Sequence, residues 1–85
     1  MKNSNKQDQL TKNIDKRYER LAEVIVQNIR EIRAKRKMTQ EQMRDHGFDY
    51  RYYQRLESQE VVPNIKTLVK LALAFDVKIT DFFKE

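Results

Sequence analysis

The sequence predicts an all-α fold, a compact bundle of four to five helices, and three observations carry that prediction. Apolar residues recur at steps of three and four, over Ile14 to Ile32 and again over Leu68 to Phe75. Capping residues stand just ahead of the helical stretches: Thr39, Asp49 and Asn64. Gly47 and the Val62–Pro63 pair interrupt the chain where helices must stop.

Along the chain, residues 1–13 are mostly Lys, Asn, Gln and Ser and are expected to form a flexible polar tail. Residues 14–85 are expected to form one domain. Ile14, Tyr18, Leu21, Ile25, Ile29 and Ile32 fall on one face of a first helix. A helix of that length, ~35 Å, is long for so small a domain. Its start, Ile14–Arg20, is therefore expected either to fray or to pack on a second chain. Arg33, Lys35, Arg36 and Lys37 stand where a helix C-terminus favours cations. Thr39 with Gln42 has capping-box spacing and opens a second helix, Gln40 to about His46, which Gly47 ends.

Asp49 caps a third helix, on which Tyr53 and Leu56 share the inner face. Asn64 caps a fourth, Ile65 to Phe75. Asp76–Lys78 is a turn, and Ile79 or Thr80 opens a last short helix with Phe82 and Phe83. Both rings are expected in the core, or else one of them is exposed and pairs chains.

Composition narrows the chemistry. The chain carries 18 Lys+Arg against 13 Asp+Glu, a net +5 with pI near 9.6, which favours an anionic partner. The surplus is local. Arg30 to Arg55 holds eight basic and four acidic residues, whereas Leu56 to Glu85 holds four basic and five acidic. With no cysteine and one histidine, disulfides, thiolate catalysis and zinc sites are not expected. No cofactor or small-molecule ligand is implied. An enzyme has no support either, because the sequence offers no nucleophile–base pair and no phosphate-cradling glycine loop. "MKNSNKQDQLTKN" has no apolar run, so neither a signal peptide nor a membrane anchor is expected there.

Two short helices joined by a glycine turn, the first opened by "TQEQ", form a helix-turn-helix signal. From about Val24 to Phe83, "IREIRAKRKMTQEQM", the glycine, "YYQRLES" and "VPNIKTLVKLALAFDVKITDFF" together resemble the lambda-repressor-like helix-turn-helix family of bacterial and phage regulators, of the Cro and xenobiotic-response-element type. The resemblance implies a cytoplasmic, nucleoid-associated transcriptional regulator. It would bind double-stranded DNA as a homodimer on a near-palindromic operator, the third helix reading the major groove.

Independently of the resemblance, a helix starting at Asp49 points Tyr53 and Leu56 inward and Tyr50, Arg51, Gln54 and Arg55 outward. The resemblance places base contacts at Tyr50, Arg51 and Arg55, with Gln54 nearby, and a phosphate contact at Gln40. Charge or position at a helix end adds Thr39, Tyr52, Arg33, Arg36, Lys37, Arg44, Ser58, Asn64 and Lys66 as phosphate contacts. Glu57 is expected to pair with an arginine of the first helix such as Arg33. Arg44 stands where the family usually has alanine. Gln59 stands where it commonly has glycine, in left-handed geometry. Dimer contacts are expected from Val77–Phe83 with part of the fourth helix, or from Ile14–Leu21. The alternative is a protein-interaction adaptor that keeps the helical fold without reading DNA.

Overall fold

The computed structural model describes residues 2–85, with side chains from Lys6 onward. Three α-helices and two 3-10 segments follow one another: α1 (Lys2–Lys35), the 3-10 segment Glu41–His46, α2 (Tyr50–Glu57), α3 (Ile65–Phe75) and the 3-10 segment Ile79–Phe83. All of the secondary structure among the described residues is helical.

Helix α1 starts at Lys2, within the stretch expected as a polar tail. The reason is cooperative: once Ile25 and Ile29 are buried, each further residue adds a hydrogen bond without new nucleation. The N-terminal stretch contains no glycine or proline to stop it. This projecting half stretches the molecule to 54 × 24 × 19 Å.

The core lies between the C-terminal half of α1, α2, α3 and the last 3-10 segment. Ile29, Met43, Tyr53, Leu56, Leu71 and Phe82 are each fully buried there. Two edge-to-face ring pairs lock it, Phe48–Tyr53 at 5.7 Å and Phe75–Phe82 at 6.4 Å between centroids. Asn28 ties the C-terminal segment to α1 by donating to the carbonyls of Phe82 (2.8 Å) and Lys84 (2.7 Å).

Helix starts follow the expected capping chemistry. Thr39 and Gln42 exchange both bonds of a capping box, Gln42 N–H to the Thr39 hydroxyl at 3.1 Å and Thr39 N–H to the Gln42 amide oxygen at 2.7 Å. The Asn64 side chain accepts from Thr67 N–H at 2.8 Å. The helical segments up to α3 also stop alike, with a left-handed residue followed by a backbone bond spanning five residues. These residues are Lys37 (φ 57°), Gly47 (φ 83°), Gln59 (φ 65°) and Asp76 (φ 55°).

Only Gly47 has a second reason to be glycine. A Cβ there would sit 3.3 Å from both Cε and Nζ of Lys70. The Lys70 ammonium donates to the Gly47 carbonyl and lies 4.4 Å from the centroid of the Phe48 ring. Gly47→Ala is therefore expected to cost about 1–2 kcal/mol, the left-handed penalty, plus the displacement of Lys70. The change in unfolding free energy is readable in a urea titration.

Candidate nucleic-acid interface

Asp49, extended at the end of the turn, accepts from Tyr52 N–H at 2.9 Å and starts α2. The helix buries Tyr53, Leu56 and Glu57 and leaves Arg51, Gln54 and Arg55 exposed, the outward edge expected from the spacing. Tyr50 is half-buried. Its hydroxyl accepts from the Gln54 amide at 3.0 Å, and the Arg44 guanidinium stands 4.9 Å from its ring centroid. Arg44 thus extends outward beside the N-terminus of α2, and the close approach of the two helices does not need an alanine there.

Beneath this edge, Arg33 of α1 meets Glu57 with two parallel bonds, Nε to Oε2 at 2.6 Å and Nη2 to Oε1 at 2.9 Å. Its Nη1 donates to the Met38 carbonyl at 2.7 Å. Gln40 adds a donor to Glu57 Oε1 at 3.0 Å. Burial alone would raise the Glu57 pKa, but the Arg33 and Gln40 donors, with the Tyr53 hydroxyl nearby, outweigh it and hold it below the usual range. The hydrogen bond to Glu57 raises the pKa of Arg33 against the opposing effect of burial. Burial first, then the Glu57 carboxylate, push the Tyr53 phenol far above its ordinary value. The Tyr53 hydroxyl has no hydrogen-bond partner of good geometry.

This network engages two of the expected phosphate contacts, Arg33 and Gln40, and the core takes up a third, Tyr52. Arg33 is engaged on three sides by Glu57 and Met38, so it is a structural residue as well as the partner expected for Glu57. The Gln40 amide is turned inward to the same carboxylate, leaving Gln40 on the floor of the interface. The Tyr52 ring is half-buried and packs against the core rather than standing on the open edge.

The outward edge of α2 borders a shallow, open depression that gathers Arg51, Gln54, Arg55 and Ser58. Arg30, exposed on α1, lines the same depression. Sequence reasoning missed Arg30, because only the crossing of α1 and α2 brings it beside Arg55. Glu60 stands at the rim, where it accepts from the Ser58 hydroxyl at 2.9 Å. Arg36 and Lys37 instead line a separate concavity with Gln42, His46 and Asp76, and Arg36 donates to the Asp76 carbonyl at 3.3 Å. Thr39, Asn64 and Lys66 are exposed at helix starts.

A family model described as "Helix-turn-helix" matches residues 29–82, from the end of α1 through α2 and α3 into the last 3-10 segment. The chain belongs to the Cro/C1-type helix-turn-helix family. No curated protein and no solved structure matches it significantly. Membership in this family, one of non-enzymatic regulators, implies DNA binding, with DNA as the partner. Among the described residues no helix is long and apolar enough to cross a membrane.

The helix-turn-helix body absorbs most of the C-terminal segment expected at a dimer contact. Phe82 is fully buried, Val77 and Ile79 pack on the core, and Phe83 alone offers an exposed ring, at 40%. Ile14, Tyr18 and Leu21 of α1 remain exposed.

Proposed function

We propose that this protein is a sequence-specific transcriptional regulator that binds double-stranded DNA as a homodimer. Helix α2 enters the major groove of each half of a near-palindromic operator, the half-sites about one helical turn (~34 Å) apart. The observation that carries this reading is the exposed edge of α2, where Arg51, Gln54 and Arg55 present long donors over a buried Tyr53–Leu56 face. Neither arginine forms a salt bridge with the described residues, and the Gln54 amide keeps a second N–H beyond the one it donates to Tyr50.

Arg51 and Arg55 suit guanine O6/N7, and Gln54 suits adenine N6/N7, with Tyr50 steering Gln54 through their hydrogen bond. Thr39, Arg44, Ser58, Asn64 and Lys66 then contact phosphates around the groove, joined by Arg30 from α1. Arg36 and Lys37, in their separate concavity, supply phosphate contacts at the periphery. Such a regulator works inside the cell, on the nucleoid.

Selection of bound duplexes from a random library, at two salt concentrations, tests the proposal. The expected result is an enriched, near-palindromic motif whose affinity falls steeply with salt. Binding that disappears with salt and enriches no motif would leave only non-specific attraction to DNA.

A further inference from the structure

We propose that the exposed apolar row on the N-terminal half of α1 joins two copies of this chain in antiparallel fashion. The row consists of Leu10, Ile14, Tyr18 and Leu21, which are 59%, 57%, 56% and 45% exposed. At ~100° per residue they form one narrow stripe. The stripe runs on into Ile25 and Ile29, which the chain's own body covers. At its base, Leu21, Val24 and Phe83 line an open groove. Single exposed apolar residues are ordinary, whereas four aligned on a projecting helix mark a contact surface.

Three features favour a second copy as the occupant. The spacing of the row, four, four and three, is nearly unchanged on reversal. A two-fold axis can therefore set Leu10 against Leu21, and Ile14 against Tyr18, of the other copy, the reciprocity an isologous contact requires. Covering these residues and Phe83 completely on both copies removes roughly 1,000 Å² from water, the threshold at which a contact counts as an interface. The same register also brings Lys6 towards Glu85 of the second copy, which stands at the groove rim 3.3 Å from Arg20.

Sterics set the direction. From Val24 onward the body covers the same face of α1, so a parallel pair would drive two bodies into one space. An antiparallel pair places each N-terminal end over the partner's groove instead. Asp15 and Arg17 then lie near their own counterparts beside the axis. Exposed charges at a solvated rim interact weakly, and burial of eight large side chains prevails. This contact is argued apart from the DNA-bound arrangement proposed above, and its test uses no DNA, so either can fail alone.

Sedimentation equilibrium of the full chain is expected to show a dimer at micromolar concentration. Ile14→Glu with Leu21→Glu should weaken association by roughly two orders of magnitude. Both residues are exposed, so the thermal unfolding of the body should persist. Leu73→Glu, on the separate exposed row Ile65, Val69 and Leu73 of α3, should leave association unchanged. The chain has no cysteine, so orientation can be read by cross-linking. A mixture of Leu10→Cys and Leu21→Cys proteins should form disulfide-linked pairs on mild oxidation, and neither variant alone should. A monomeric wild type, loss of association in Leu73→Glu instead, or cross-linking of the single variants would each overturn the proposal.

Discussion

Replacing Arg51 and Arg55 together by alanine is expected to lower affinity for the selected operator by roughly 100-fold and to relax preference at the bases they read. The size follows from the contacts. Each bidentate arginine–guanine pair is worth about 1–3 kcal/mol of discrimination, and a factor of ten in affinity corresponds to about 1.4 kcal/mol. The two side chains stand one turn apart on the exposed edge of α2, and neither makes an ion pair within the described residues. Their loss should therefore leave the fold intact, with stability changed by no more than about 0.5 kcal/mol.

The contrasting variant is Lys66→Ala, at the start of α3, where a phosphate contact is proposed. It should weaken all sequences alike and reduce the salt slope by about one. Titration of operator and scrambled duplexes at several salt concentrations separates the two behaviours. Unchanged operator affinity in the Arg51→Ala, Arg55→Ala protein would support an adaptor with this fold over a reader of DNA.

Much of this face was legible before any coordinates, because its determinants are local. Asp49 and Asn64 cap through their own side chains three residues ahead, and Ile65–Phe75 is bounded by a cap and a left-handed Asp76. The Tyr53–Leu56 spacing fixes which edge of α2 is buried. Gln59 takes its left-handed φ of 65° in a helix-stop geometry that the family resemblance anticipates. What stayed hidden depends on how helices cross. The side chain of Arg30 reads as any helix-surface charge until α1 is laid beside α2. Gln40 and Tyr52 look like surface residues until the Glu57 carboxylate and the core draw them inward. The helical N-terminal stretch carries little apolar periodicity, so only propagation from the packed end of α1 accounts for it.

The largest effect on stability is expected from Arg33→Ala. Glu57 is 3% exposed and Arg33 18%, so removing the cation leaves a carboxylate in the core with Gln40 as its remaining side-chain donor. Breaking a buried pair in this way costs about 3–5 kcal/mol, a large share of the 5–15 kcal/mol typical of a small domain. Glu57→Gln should cost less, since the orphaned group is then Arg33, which retains a solvated edge and the Met38 carbonyl.

The pH dependence identifies the mechanism. In the wild type the folded pKa of Glu57 lies below its unfolded value of about 4.3. Its stabilising contribution is therefore complete above that value and is lost as pH falls through the folded pKa. In Arg33→Ala, burial becomes the dominant influence and the folded pKa rises above the unfolded one. The variant is then penalised at neutral pH and relieved on acidification, as Glu57 takes up a proton. Urea titrations between neutral pH and pH ~4 should therefore show the gap between the two proteins closing as pH falls. A gap independent of pH would mean that Arg33 stabilises the junction of α1, α2 and the first 3-10 segment by packing and its bond to Met38, without the Glu57 charge.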